Sequence, residues 1–218
     1  MFAARNLVFG QGLKKAPTVR NAVSGNGTIT LATHSPGDML LIMGWGASGN
    51  SVPVYISGDA NTPAWTRIGT PNAGVSMYWA VATQSAHTMG SWSSSTSMTS
   101  ISLTGQATSP IGLYAYDNGN PTATITTAGT NTAANNSNGL AYIAGIPATS
   151  LLLFYAQTYA VDWTPTAGFT TIHNAALSAN SYYIRLVSKD SPATNMTTFT
   201  YGNVASTYWA GSVLEIKS

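Results

Sequence analysis

Charged residues are scarce in this sequence. Only 6% of the 218 residues are charged, whereas about 25% are charged in an average soluble domain. Coiled coils and helical bundles depend on repeating Glu, Lys and Arg, and this chain contains a single glutamate, Glu215. Disordered chains combine low hydrophobicity with high charge, but 44% of these residues are hydrophobic. The composition therefore excludes a helical bundle and predicts a folded protein with a polar, uncharged surface.

Cysteine is absent, which removes disulfides, thiolate nucleophiles and cysteine-ligated zinc. Other reactive groups are few and scattered: His34, His87 and His173, and the acids Asp38, Asp59, Asp117, Asp162, Asp190 and Glu215. No histidines have the spacing of a metal motif, and no local carboxylate pair suggests a glycosidase. We predict no catalytic residue, no metal site and no cofactor, and expect that the protein is not an enzyme. A hydrolase would require distant acids such as Asp117 and Asp162 to converge.

An oxygen-rich run at Asp117–Asn120 has two interpretations. Its side chains are of the type that ligates calcium, but the later acidic residue of known calcium loops is missing. Asn and Gly at these positions are typical of a tight turn between strands. We favour the turn.

Basic residues are concentrated at the N-terminus. Arg5, Lys14, Lys15 and Arg20 lie in the first twenty residues, and the rest of the chain has four basic and six acidic side chains. A nucleic-acid-binding domain would cluster Lys and Arg with aromatics, so we expect no nucleic-acid partner. Residues 1–20, the N-terminal arm, are either a partly ordered terminus or an assembly anchor that uses these four basic side chains.

Residues 21–218 have the pattern of β-strands. Ser100–Thr104 and Thr28–Leu31 alternate polar and apolar residues, which predicts strands with an apolar face inward and a polar face outward. Met39–Trp45 and Leu151–Tyr155 are continuous apolar runs, which predicts strands covered on both faces. Pro, Thr and Gln interrupt the uncharged stretch around the second run, so we interpret it as a strand and expect no membrane span. Recurring turn signals complete the prediction of an all-β antiparallel β-sandwich or jelly-roll-like domain.

The two halves of the chain resemble each other weakly. Short segments recur in the same order: Leu40–Ile42 with Leu151–Leu153, Trp65–Ile68 with Phe169–Ile172, Ser76–Trp79 with Ser181–Ile184, and Thr99–Leu103 with Ser212–Ile216. Strands of similar composition also align by chance, so two interpretations stay open. If the duplication is real, the halves 21–118 and 119–218 form two related β-layers or two small β-domains.

Aromatic side chains are numerous, with 6 Trp, 11 Tyr and 5 Phe. Trp92, Trp163 and Trp209 lie in polar or loop-like contexts. They are either core and protein-interface residues, as Trp and Tyr commonly are, or exposed platforms that stack on the sugar rings of a glycan.

Six segments carry a resemblance to a known class of protein: Ala148–Phe154, Pro165–Ile172, Ser181–Val187 and Tyr208–Ile216 in the second half, and Pro36–Ile42 and Ala64–Ile68, which echo them, in the first. A Pro-Gly-Asp turn before a leucine-rich strand, a Pro- and Gly-containing turn before an aromatic residue and Thr, and a Tyr-rich strand together resemble the β-sandwich domains of tailed-bacteriophage virion proteins. The resemblance covers most of residues 28–218. The first half departs from it, because no glycine precedes Trp65.

The resemblance implies a non-enzymatic virion structural protein, made in the host cytoplasm and placed on the particle exterior. It implies first a capsid decoration or cement protein that stabilises the particle through contacts with the major capsid protein or tail proteins. A homo-oligomer is expected, with a trimer favoured. The alternative is a tail-associated receptor- or carbohydrate-binding module that contacts a host surface glycan. The motifs contain no catalytic residue to carry over.

Overall fold

The regular structure of the described residues consists of β-strands. The computed structural model describes residues 15–27, 29–45, 55–57, 60–72, 75–93, 97–105, 111–117, 120–121, 129–131, 140–141, 151–159, 168–177, 182–189, 199–200 and 209–218. In these ranges no residue is helical, and every strand pairing is antiparallel. The predicted all-β class is confirmed.

The described strands, in chain order, are β1 (Thr18–Gly25), β2 (Met39–Trp45), β3 (Tyr55–Ser57), β4 (Thr66–Asn72), β5 (Val75–Val81), β6 (Ser91–Trp92), β7 (Ser97–Thr104), β8 (Ile111–Asp117), β9 (Asn120–Pro121), β10 (Gly129–Asn131), β11 (Leu140–Ala141), β12 (Leu151–Tyr159), β13 (Thr170–Leu177), β14 (Tyr182–Lys189), β15 (Phe199–Thr200) and β16 (Trp209–Ile216). A first sheet has the order β1-β7-β2-β5-β4. A second sheet has the order β13-β14-β12-β16-β8-β9, and β10 also pairs with β16. β11 pairs with β15, and β3 pairs with β6.

The two large sheets share one hydrophobic core. Period-two alternation turns every second side chain of β2 inward, where these side chains meet residues of β12, β14 and β16. The buried members of this core are Met39, Leu41, Met43, Trp45, Ile68, Met77, Ile101 and Leu103 from the first sheet, and Leu151, Leu153, Ile184, Leu186, Leu214 and Ile216 from the second. Because each sheet buries the apolar face of the other, the fold is a β-sandwich.

A second cluster covers the outer face of the first sheet. Its buried members, Ile42, Tyr78, Met89 and Met98, pack against Ile29, Leu31, Tyr55, Trp65 and Trp92. As a result, β2 is buried along its whole length, which confirms the prediction from its continuous apolar run. In β12, Leu151, Leu152 and Leu153 are all buried, so the apolar run in the second half is a core strand.

The prediction for the polar face of β7 was wrong. Ser100 and Ser102, expected to face outward, are fully buried because residues 29–34 run across them. The Ala32 N–H donates to Ser100 Oγ at 2.9 Å, and Ser102 Oγ donates to the Thr33 carbonyl at 2.7 Å. The covering segment, residues 29–34, does not form a strand. The prediction of a strand at Thr28–Leu31 was therefore wrong for residues 29–31.

Strand order in the two sheets is the same. The first sheet runs β1-β7-β2-β5-β4, and the corresponding part of the second runs β8-β16-β12-β14-β13. If these five strands are numbered by their order in the chain within each sheet, both sheets read first, fifth, second, fourth, third. The registers agree only in part. On the side of β5 and β14, Leu41 pairs with Trp79 and Leu153 pairs with Ser188, not with Ile184, which the sequence aligns with Trp79. On the side of β7 and β16, Leu41 pairs with Ile101 as Leu153 pairs with Leu214. This register aligns Leu41 with Leu153, one residue away from the alignment expected from sequence.

The boundary between sheets also differs from the expected halves. The last strand of the first sheet ends at Thr104, and the first strand of the second begins at Ile111, whereas the predicted halves divide at residue 118. The shared strand order supports a duplication, which stays a prediction.

Candidate functional site

Two of the three histidines lie face to face. The rings of His34 and His87 are stacked, with centroids 5.7 Å apart and planes 19° apart. His34 Nδ1 lies 2.7 Å from the Ala32 carbonyl, and the His87 backbone N–H donates to His34 Nε2 at 3.2 Å. Sequence reasoning treated these histidines as isolated. They are 53 residues apart in the sequence, and no local motif indicates that they come together in the fold.

The His87 side chain joins two chain segments. Its Nε2 accepts a hydrogen bond from the Thr83 N–H at 2.9 Å, and its Nδ1 lies 2.6 Å from the Asn61 carbonyl. Because Nε2 accepts and Nδ1 faces a carbonyl, this pattern is that of a neutral imidazole with its proton on Nδ1. Thr62 and Thr88 add a hydroxyl–hydroxyl hydrogen bond of 3.2 Å. Residues 60–65 are thereby fastened to the loop that follows β5.

An open groove lies between residues 60–66 and the end of β5. We call it the β4–β5 groove; its volume is about 530 Å³. Its polar lining consists of Thr62, Thr66, Thr83, Gln84 and His87, and its apolar lining of Ala60, Pro63, Ala64, Trp79, Ala80 and Val81. None of these described lining residues is Asp, Glu, Lys or Arg. A second cavity of about 460 Å³ lies on the other side of His87, against residues 29–31 and 88–91.

The third histidine lies inside the sandwich. His173 stacks on Trp45 with ring centroids 5.3 Å apart, and its Nε2 is 3.0 Å from Ser97 Oγ. Burial lowers the pKa of His173 from 6.5 to about 4. A serine beside a histidine is the arrangement of an activated nucleophile, but Ser97 is fully buried, so a substrate has no access to it. The pair is a packing contact between sheets.

Two of the four predicted basic anchor residues, Lys15 and Arg20, lie in the described part of the chain. Arg20 forms an ion pair with Asp38, with Nε 2.7 Å from Oδ2, so its charge is paired within the chain. Lys15 is exposed. Arg5 and Lys14 lie outside the described residues.

Two of the three predicted aromatic platform residues, Trp92 and Trp209, lie in the described part of the chain. Trp92 is half-buried and packs on Tyr55, Trp65 and Tyr78, with ring centroids 5.0–6.3 Å apart. Its Nε1 donates to the Met89 carbonyl at 3.2 Å. Trp92 therefore belongs to the outer cluster. Trp209 begins β16, and Trp163 lies outside the described residues.

Three of the six acids named in the sequence, Asp38, Asp117 and Glu215, lie in the described part of the chain. Asp38 is buried beside Arg20. Asp117 of β8 pairs with Asn120 of β9, the pairing that a tight turn produces. Asp162 lies outside the described residues. Among the residues that the structure describes, no three His, Asp or Glu side chains group to hold a metal ion, and no helix could span a membrane.

The motif residues shape the turns that begin core strands. Gly37 has a φ of +88°, and its N–H donates to the Ala82 carbonyl at 2.7 Å. Asp38 Oδ2 accepts the Ser35 N–H at 2.8 Å, closing the turn before β2. Gly168, before β13, has a φ of +93°.

Comparison of the chain with protein-family models, curated proteins and solved structures gives no match.

Proposed function

We propose that the protein is a non-enzymatic structural protein of a tailed-phage virion, carried on the particle exterior as a capsid decoration or cement protein. The supporting observation is that the motif residues on which the resemblance rests stabilise the turns that begin core strands. Gly37 and Asp38 form the turn before β2, and Gly168 supplies the positive φ before β13. Motifs of this kind specify a durable sandwich, and such a sandwich suits a particle component that works through its surface.

An uncharged sheet edge also favours an assembled state. β13 ends the strand order of the second sheet, and Thr170, Thr171, Asn174 and Ala176 are exposed on it. No charged residue occurs in this strand, although charge is a common protection of edge strands against pairing with other chains. A neighbour in a homo-oligomer or on the particle, the major capsid protein for example, would cover this edge.

Copy number in purified particles tests the proposal. Quantitative mass spectrometry measures the chain against the major capsid protein of the phage that encodes it. Hundreds of copies are expected for a decoration protein. A few to some tens would move the protein to the tail, and complete absence from particles would overturn the virion role.

A tail-associated receptor- or carbohydrate-binding module is the second candidate. It is favoured by one observation: the described lining residues of the β4–β5 groove are uncharged and partly aromatic. A copy number of a few to some tens per particle, together with binding to a host surface glycan, would favour this role over the capsid role.

A further inference from the structure

We propose that the β4–β5 groove binds a neutral glycan, an oligosaccharide without carboxylate, sulfate or phosphate groups. This inference deepens the second candidate function and rests on it. Four properties of the groove carry it: its lack of charge, its polar groups, its apolar wall and its fastening.

The lack of charge selects against ionic ligands. The lining residues that the structure describes include no Asp, Glu, Lys or Arg, and the hydrogen bonds of His87 are those of the neutral ring. An acidic sugar would lose hydration on entering without gaining a counter-charge, which is unfavourable. A neutral sugar has no such cost.

The polar groups of the groove match hydroxyl groups. Threonine hydroxyls and the glutamine amide both donate and accept hydrogen bonds, as sugar hydroxyls do. Gln84 is well suited, because its Nε2 contacts Asn61 Oδ1 only at 3.5 Å, and its 3.5 Å contact with His87 Nδ1 joins two nitrogens that both carry protons. These contacts are long for hydrogen bonds, so the amide can reorient toward a ligand at little cost. Thr66, at the start of β4, is exposed beside it.

The apolar wall matches the C–H face of a pyranose. Trp79 is half-buried: it packs against the sandwich core and also lines the groove. Val81 is 42% exposed, and it is the one large hydrophobic residue with an exposed side chain in the described part of the chain. An aromatic ring that combines a broad apolar face with a polar N–H suits a ligand that is apolar on one face and polar at its edges.

The groove is fastened before any ligand binds. His87 connects Thr83 to Asn61, and Thr62 bonds to Thr88, so both walls are tied together at one end. Binding to a preformed site orders fewer groups and loses less free energy. Its volume, about 530 Å³, lies within the range of roughly 300–1,000 Å³ typical of small-molecule sites.

The test uses the full chain and arrays of neutral oligosaccharides built from glucose, galactose, mannose and N-acetylglucosamine, with sialylated and sulfated oligosaccharides beside them. Calorimetry with the best neutral hit then compares the wild type with Gln84→Ala and Trp79→Phe. Gln84→Ala alters an exposed loop, so it keeps the test valid if Trp79→Phe affects folding. Thr30→Ala is the matched control, because Thr30 is exposed in the second cavity and not in the groove.

We expect a neutral glycan to bind, with affinity about three- to tenfold lower in Gln84→Ala and about tenfold lower in Trp79→Phe, and unchanged in Thr30→Ala. If neutral glycans bind Gln84→Ala and Trp79→Phe with the same affinity as the wild type, the groove is not the binding site. The carbohydrate-binding function would then still stand. Binding of charged glycans alone would overturn the ligand class. If no glycan binds, both the groove proposal and the carbohydrate-binding candidate fail, while the capsid role is judged separately by copy number.

Discussion

The guanidinium of Arg20 forms a bidentate ion pair with the carboxylate of Asp38, with Nε 2.7 Å from Oδ2 and Nη2 3.1 Å from Oδ1. The Asp38 side chain is 4% exposed and that of Arg20 is 41% exposed. Ser35 adds its backbone N–H to Oδ2 at 2.8 Å. One ion pair thus connects β1 to the turn that leads into β2, and a residue expected to anchor the protein to a neighbour has its charge paired inside the chain.

Arg20→Ala should destabilise the protein by about 1–3 kcal/mol, because it leaves a buried carboxylate without its counter-charge. The partial exposure of Arg20 keeps this cost below the roughly 3–5 kcal/mol of a fully buried pair. Arg20→Lys keeps the charge but loses the bidentate geometry, so the stability of this variant should lie between those of the wild type and Arg20→Ala. Urea unfolding at pH 7 measures the differences, with Lys15→Ala as an exposed control. Wild-type stability in Arg20→Ala would show that the ion pair contributes nothing.

Stability should fall as the solution is acidified from about pH 6.5 to pH 4, because burial lowers the pKa of His173 to about 4. In that interval the unfolded chain binds a proton at this histidine and the folded chain does not, so protonation favours unfolding. Above pH 6.5 the His173 effect vanishes, and below pH 4 it is constant. The total loss is up to about 3 kcal/mol.

Urea unfolding of the wild type and His173→Gln across this pH range isolates the effect. Gln keeps a polar group near Ser97 but does not titrate, so its stability should fall less with acid than that of the wild type. Equal pH dependence in both proteins would assign the acid sensitivity to other groups.

The fold was predictable where the signal is local. Seven consecutive apolar residues in Met39–Trp45 indicate a strand covered on both faces, and β2 is buried throughout. The alternation in Ser100–Thr104 located the inward face of β7. It could not show that Ser100 and Ser102 are covered, because the covering segment lies about seventy residues earlier in the chain and bonds to them through its backbone.

The candidate site was less predictable than the fold. The β4–β5 groove is formed by residues before one strand and after the next, and its fastening depends on His87 contacting Asn61 and Thr83. Threonine, glutamine and a single histidine in loops have no distinctive spacing. Trp92 illustrates the limit of local context: its polar neighbours in sequence left open whether it is a core residue or an exposed platform, and Tyr55, Trp65 and Tyr78 pack around it.

Gly37→Ala and Gly168→Ala should each cost about 1 kcal/mol. Both glycines have positive φ angles, +88° and +93°, and a Cβ added at either would meet no atom within 4 Å. The cost is therefore backbone strain and not a clash, and Tm should fall by about 2–4 °C in a chain of this size. Asn tolerates positive φ better than Ala, so Gly37→Asn should recover part of the loss in thermal unfolding. Equal losses for Ala and Asn would contradict strain as the cause.

Leu41→Ala and Leu153→Ala test whether the two sheets fold as one unit. The two leucines lie in β2 and β12, are buried in the shared core, and pair with Ile101 and Leu214 at corresponding positions. Each substitution should cost about 2–5 kcal/mol, and each should lower one common transition, because a cavity on either side of a shared core destabilises both sheets. Calorimetry and near-UV circular dichroism follow the transition, with Val81→Ala as a control of about 0.5 kcal/mol or less. A second transition that only one of the leucine variants shifts would mean that the sheets are two separately folding domains.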